Sequence, residues 1–535
     1  MIFCMGKCLM GATLSKVASS PWFGILIDES NDISRHGHMV IYLSYLESNY
    51  IPKMTFYGIV HVCDGTAKSI YEAIIDEIKK MNLDFSKFIA FGSDGCSTMV
   101  GQENGVQALL KRHVNPFLTS IHCVAHRTAL AVSNVARDMD YCKKLEKLVN
   151  AIANYFNASS KRMEGLELMQ SDLACSILRM EHTFDIRWLS RYRSISKVVK
   201  CLDSILAATK VDAPHIYREL SNFECLYCLH FMADILRGLA TLSQMFQKKF
   251  VDVTTMESLV QNEIACIKQY YVDTPEVDIN AYAYGVDGFS ILPEYGPDKE
   301  YLHGFRNSLH GKKLYEHDLQ RDFLGDDLNR ALAYQLSFSN GVIENLMSRF
   351  EDNSMLSCMK VLVPAQHPML EKPLKTHGDR EIERLCEFYG LDKKLHVQDF
   401  AAVVNLEDLK KEFTKFKHQA SRDWIRYSLP EVTSSIACND LWRDAFPKVL
   451  SICQVALVQC CSIAICERGF SARTAIKDKL RNCLEIKSFD ALMKLYVEGP
   501  ESLSDSNFAD SIALWTTKAH RHLFTSNGIC SLLLQ

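Results

Sequence analysis

The sequence predicts an α/β core, a mixed sheet with helices on both sides, interrupted by a large all-α insertion and completed by C-terminal helices. Three observations carry this. Between residues 22 and 62, three apolar runs rich in β-branched and aromatic residues follow one another with short connections. Between residues 66 and 126, helical and strand-like patterns alternate. After Arg187 the spacing is almost entirely helical. At 535 residues the chain exceeds what one hydrophobic core usually supports, so two or three packed units are expected.

Element by element, WFGILIDES is an apolar run that ends abruptly in acids. HMVIYLSYLES and IPKMTFYGIVHV then complete an antiparallel meander. TAKSIYEAIIDEIKKM places Ile70, Ile74, Ile75 and Ile78 on one helical face, with Thr66 as N-cap. FIAFGSDG returns to a short buried strand, VGQENGVQALLKRHV reads as a helix, LTSIHCVAH as a strand, and residues 127–156 as one long helix. The resulting βββαβαβα order is that of an RNase H-like core. Farther on, FECLYCLHFMADILRGLATLSQMF sets Leu226, Leu229, Ala233, Leu236 and Ala240 at three- and four-residue spacing. Residues 273–318 read as a long connection, VPAQHPMLEKPLKTHGD as another boundary, and residues 447–484 as resumed helix. The expected divisions are a helical segment at 1–20, the first part of the core at 21–186, the helical insertion at 187–435, a C-terminal region completing the core at 436–500, and a tail at 501–535.

A content of 48% hydrophobic and 23% charged residues excludes wholesale disorder. Lys+Arg 60 against Asp+Glu 64 gives a net charge of -4, which excludes a wholly basic surface but not a local basic patch. The 20 cysteines are scattered through the predicted elements and read as the reduced thiols of an intracellular protein. The opening residues lack a signal-peptide pattern, and no 18 consecutive apolar residues occur, so no membrane span is expected.

Asp28 ends the first predicted strand and Asp94 the fourth, which are neighbours in such a sheet. Taken singly, each aspartate reads as the cap of the turn that follows. As a pair at matched strand ends they read as a Mg²⁺ or Mn²⁺ site, because adjacent carboxylates repel without a cation between them. Glu467 falls on the apolar stripe of Cys460, Ile463, Ala464 and Phe470, where a carboxylate needs a cation, a hydrogen-bond network or an arginine partner. Cys123-x-x-His126 and Cys225-x-x-Cys228 with His230 lack a second ligand pair, so no zinc is expected. Arg187, Arg191, Arg193 and Lys197 suit a phosphate backbone and suit a solvated helix face equally well. Trp188, on the residues alone, reads as a packing anchor.

LIDESNDIS, FGSDGCSTMVGQENGV, HCVAH, DIRWLSR and CSIAICERGFSARTAIKDKLRNCL occur in that order. Together, over residues 22–499, they resemble hAT-superfamily transposases and the vertebrate proteins derived from them. The resemblance implies an RNase H-like core with a helical insertion, and a C-terminal region that supports a homodimer or higher oligomer. It implies Asp28, Asp94 and Glu467 as a DDE triad holding Mg²⁺ or Mn²⁺, and Cys123 and His126 as the family's C-x-x-H element. It implies Arg187, Trp188 and Arg191 as DNA-binding residues, the tryptophan holding a flipped base. Family members usually carry an N-terminal BED-type zinc finger, and no such pattern precedes the first strand here. The expectation is a domesticated, dimerising, nuclear protein associated with DNA; the alternative is an active transposase core that cleaves and transfers DNA strands with Mg²⁺.

Overall fold

The run after Trp22 forms β1 (Phe23–Asn31), followed by β2 (Gly37–Leu46) and β3 (Pro52–His61). β1 and β2 pair antiparallel from Phe23↔Tyr45 to Asn31↔Gly37, and β2 pairs antiparallel with β3 with a register shift at Ile41/Tyr42. The coordinates are a computed structural model, which describes the chain except residues 32–36, 63, 174–176, 183–187, 248–250, 274–308, 311–312, 315–316, 321–325, 352–353, 396–398, 477–485, 501–508 and 518–535. The helix α2 (Ala67–Met81) begins where the capping pattern placed it: the Ser69 N–H donates to the Thr66 hydroxyl at 3.3 Å. Next come β4 (Phe88–Ser93), the short α3 (Ser97–Val100), α4 (Val106–His113) and β5 (Thr119–His122). β4 lies parallel to β1, and β5 parallel to β4, giving the five-stranded mixed order β3-β2-β1-β4-β5.

The chain forms two compact units: Met1–His126 with Phe246–Met256 and Asn353–Gln535, and Arg127–Met245 with Glu257–Asp352. The chain changes over between these units at 126/127, 245/246, 256/257 and 352/353. Helical periodicity shows that a helix buries a face, not which core receives it.

In the first unit one sheet face buries Phe23, Ile25, Ile27, Met39, Ile41 and Leu43 against α2 and α4, through Ile70, Ile74, Ile78, Val106 and Leu110. The N-terminal helix α1 (Ile2–Ser19) adds Val17 to this cluster. α1 also crosses the helix Ile486–Glu498 closely, so a Cβ on Gly6 would meet the Ala491 backbone at 3.3 Å. The other sheet face is covered from far along the chain. The predicted helix at 447–484 is interrupted: Pro447–Leu457 and Ala464–Ile476 are helical, and the residues between them are not. This corrects the reading of Cys460 and Ile463 as parts of a helical stripe with Glu467. That non-helical stretch lies against β1 and β4, where a Cβ on Gly24 would stand 2.7 Å from Cys460 Sγ, and one on Gly92 2.7 Å from Cys460 Cβ. Glycines in strand interiors often mark such a close approach. Gln459 anchors the crossing by accepting from the Thr119 hydroxyl of β5 at 2.7 Å.

The predicted long helix at 127–156 is two helices, α5 (Val124–Asp138) and α6 (Asp140–Asn157), separated by Met139 in an extended conformation. The second unit centres on the helix Phe223–Phe246, which is long and apolar enough to cross a membrane; 83% of its most apolar window is buried by the protein itself. Of the connection at 273–318, residues 274–308 lie outside those described, and its end forms three two-residue antiparallel strands between Leu309 and Asp318. The Pro/Gly/His segment at 363–379 contains the helix Glu371–Thr376 and the left-handed Gly378 that opens the helix Asp379–Tyr389.

Candidate functional site at the carboxyl edge of the sheet

Asp28 does not end its strand as the sequence suggests, since β1 runs on to Asn31 in its pairing with β2, whereas Asp94 follows the last residue of β4. The parallel ladder runs to Leu26↔Gly92, and Asp28 and Asp94 each stand two residues beyond it. The two acids thus follow the last pair of the parallel ladder at matched positions, Asp28 still within β1 and Asp94 past the end of β4. Both are half-buried. By strand alternation Asp28 shares the face of Gly24 and Leu26, on which the crossing residues Val458–Cys460 lie. Opposite Asp28 on β2 stands Val40.

The helix Ala464–Ile476, which carries Glu467, passes over this same place. A Cβ on Gly469 would come within 3.4 Å of the Val40 side chain and 3.0 Å of the Tyr42 hydroxyl. The backbone thus sets Glu467 close in sequence to a point touching the partner of Asp28; its side chain, like that of Arg468, lies outside those described. Among the described residues, no three His, Cys, Asp or Glu side chains form a ready metal cluster.

Glu29, Cys96 and His122 join the site, although the sequence reading passed over them. Partial burial and then the charge of Asp94 raise the Glu29 carboxyl above its ordinary range. Burial, a hydrogen bond to Asp94 and the charges of Asp94 and Glu29 push the Cys96 thiol up to about 11, so it is held as a thiol. The Cys96 N–H donates to Asp94 Oδ1 at 3.3 Å, the turn-cap role that aspartate commonly plays. The His122 ring packs directly on Gly95, so closely that no side chain fits there. His122 pairs in register with Ser93, the residue before Asp94, and that adjacency was the available signal.

Cys123 and His126 part ways. Cys123 is buried, its N–H donates to Ser93 O at 2.9 Å, and its sulfur accepts from the Ile463 N–H at 3.4 Å. Burial raises its thiol, with backbone N–H groups opposing. It joins β4 and the crossing segment, as the Val124 N–H does by donating to Cys461 O at 3.1 Å. His126 is exposed, its ring centroid 5.4 Å from that of His122. The donors this edge offers are carboxylate oxygens beside an imidazole.

The second unit holds the remaining sequence candidates. Arg191 is buried, with Nε 2.8 Å from Glu146 Oε1 in an internal ion pair. Lys197 pairs with Glu181 at 2.6 Å. Trp188 begins the helix Trp188–Lys200, its side chain outside those described, and Arg187 lies outside altogether. Cys225 and Cys228 are buried, and burial raises both thiols. Burial also lowers the His230 imidazole to about 4, and its Nδ1 bonds Leu226 O at 2.7 Å.

Comparison with known proteins yields a family match over part of the chain and curated relatives. Residues 7–105 match DUF4371, described as the ZMYM1/FAM200, RNase-like domain. That stretch includes β1 to β4 and both Asp28 and Asp94, and it ends before β5. The chain is also 24% identical over 321 residues to General transcription factor II-I repeat domain-containing protein 2 of Bos taurus, covering 57% of this chain and 32% of that protein. The aligned stretch thus spans about a third of the length of this curated relative.

Proposed function

We propose that the chain is a transposase-derived, hAT-like nuclear protein whose RNase H-like core associates with DNA and whose C-terminal region supports self-association. The observation that carries this reading is the β3-β2-β1-β4-β5 sheet, with Asp28 and Asp94 each two residues past the last pair of its central parallel ladder. The similarity of residues 7–105 to an RNase-like domain and the transcription-factor name of the bovine relative support it. For self-association the support is narrower than the sequence implied. The apolar faces of Pro447–Leu457 and Ile486–Glu498 are used inside the first unit, and among the described residues of the region Leu441 and Tyr496 are the exposed large apolar side chains.

A second reading, Mg²⁺-dependent strand cleavage, is favoured by the passage of the Glu467 helix over the Asp28 face. Asp28, Asp94 and Glu467 would hold the ion, which would supply Lewis-acid assistance to attack on a phosphodiester. In this reading the chain's own part would be to bring three distant carboxylates to one edge, with His122 beside Gly95.

Both readings meet in one experiment on the full chain. Mn²⁺ binding followed by water-proton relaxation should show a site that weakens at least tenfold in Asp28→Asn, with the far-ultraviolet circular dichroism unchanged. Nicking of supercoiled DNA that needs Mg²⁺ and disappears in Glu467→Gln establishes the second reading. DNA retention in gel shift with no nicking leaves the first alone. Absence of both ion and DNA binding overturns the proposal.

A further inference from the structure

The helix Phe223–Phe246 is apolar along most of its length, yet it carries Asp234, Arg237 and Gly238 on one turn. Opposite them are Glu263 and Cys266 on the helix Val253–Ile267, then Tyr270 and Tyr271 on the π-helical turn Lys268–Val272. These residues line a largely apolar cavity of about 330 Å³ within the second unit. Thr241 and Cys266 are exposed and form its mouth. Single π-helical turns recur at ligand sites because they displace side chains from the ordinary helical row.

The polar groups of the cavity are charged and incompletely satisfied. Asp234 is only 4% exposed, and among the described residues its Oδ2 accepts no hydrogen bond. Leaving a buried carboxylate oxygen unmade is costly. The Glu263 carboxylate lies directly over Gly238, in van der Waals conflict with any Cβ there. A glycine inside a helix costs about 1 kcal/mol relative to alanine, and here it admits a charged group to the cavity. Burial pushes both carboxyls up to about 7, Tyr271 and Arg237 opposing this at Asp234. With both acids ionised, Arg237 balances one and the lining keeps a single negative charge. Among the described residues Asp234, Glu263 and Cys266 do not group closely enough to hold a metal ion, and the other walls are largely apolar and aromatic. A singly charged organic cation meets these conditions better than a hydrated metal ion.

We infer that this cavity is a binding site for a primary alkylammonium group, its ammonium held between Asp234 and Glu263 and its alkyl stem against Ile235, Ile267 and Tyr271. The group can come from a free amine or from a lysine side chain, and the same pocket chemistry recognises either.

The test is calorimetric titration of the full chain at pH 8 with n-butylammonium, with 1-butanol as the neutral match, and with putrescine and Nα-acetyl-lysine N-methylamide as the two sources. One saturable site for n-butylammonium is expected, at least tenfold stronger than for 1-butanol. Glu263→Gln and Asp234→Asn should each weaken it at least tenfold, with circular dichroism unchanged. The stronger of the last two ligands identifies the source. Equal binding of 1-butanol, unchanged affinity in the folded Glu263→Gln variant, or no saturable binding of any amine overturns the inference. Because Glu263 at the cavity wall is only partly buried, its variant keeps the test decisive should Asp234→Asn fail to fold.

Discussion

Gly92 stands two residues before Asp94 and Gly24 four before Asp28, and both lie under the same cysteine, Cys460. The two acids and the segment leading to Glu467 are therefore set at a distance fixed by missing side chains. At Gly24 a Cβ would meet Cys460 Sγ at 2.7 Å, but also Ala90 Cβ and Val458 O at 2.9 Å. At Gly92 the conflict is with Cys460 Cβ at 2.7 Å and its carbonyl oxygen at 2.8 Å, which are atoms no rotamer can withdraw. Gly92→Ala should accordingly cost about 1 to 3 kcal/mol, the usual penalty of overpacking a close-packed interior. Adding Cys460→Ala should not restore the loss, since the Cβ and carbonyl remain. Urea midpoints of the single and double variants measure this, and full recovery in the double variant would refute the backbone contact. At this scale the aspartates themselves were legible, each sitting where an apolar run turns polar. His122 and Glu29 were not, because their relevance comes from register and charge across strands and not from spacing along one.

Among the elements, the five strands and α2 follow from patterns visible in the sequence, because alternation and helical spacing report buried faces directly. The break after Leu457 was invisible for the same reason. Val458, Cys460 and Ile463 are apolar and close-spaced whether they line a helix or cross a sheet, and the telling signal lay far away in Gly24 and Gly92. β3 shows another long-range dependence. It is the outer strand of the sheet, and an open strand edge exposes unpaired N–H groups. Here the Phe56 N–H donates to Glu498 Oε1 at 2.7 Å and the Ile59 N–H to Asp490 Oδ1 at 3.2 Å, both from the helix Ile486–Glu498. Lys494 holds Asp490 in place at 2.6 Å. Asp490→Ala should then cost about 1 to 3 kcal/mol, as expected when a part-buried donor loses a charged acceptor. Amide hydrogen exchange at Ile59 should accelerate more than at Ile41 in the adjacent inner strand. Equal acceleration at both positions would mean a global loss of stability and no specific edge protection.

For the molecule as a whole, the matched RNase-like stretch ends at residue 105, whereas the first compact unit needs chain from beyond residue 353. One sheet face is closed locally by α2 and α4, and the other only by the 458–463 crossing and the helix Ala464–Ile476. The β3 edge and α1 both depend on Ile486–Glu498. A fragment of residues 1–126 contains every strand of the sheet yet leaves Leu26, Val40, Tyr42 and Phe56, all buried in the full chain, without cover. At roughly 1.5 to 3 kcal/mol for each large apolar side chain, the loss is comparable to the 5 to 15 kcal/mol that stabilises a typical domain. That fragment should therefore lack a cooperative thermal transition and bind the dye ANS, as loosely packed states do. Joining it through a flexible linker to residues 353–499 should restore cooperativity, because the missing face and edge return together. A sharp transition in the 1–126 fragment alone would show that the sheet stands without its distant cover, and that the helix Ala464–Ile476 docks on it as a separable step and not by folding itself.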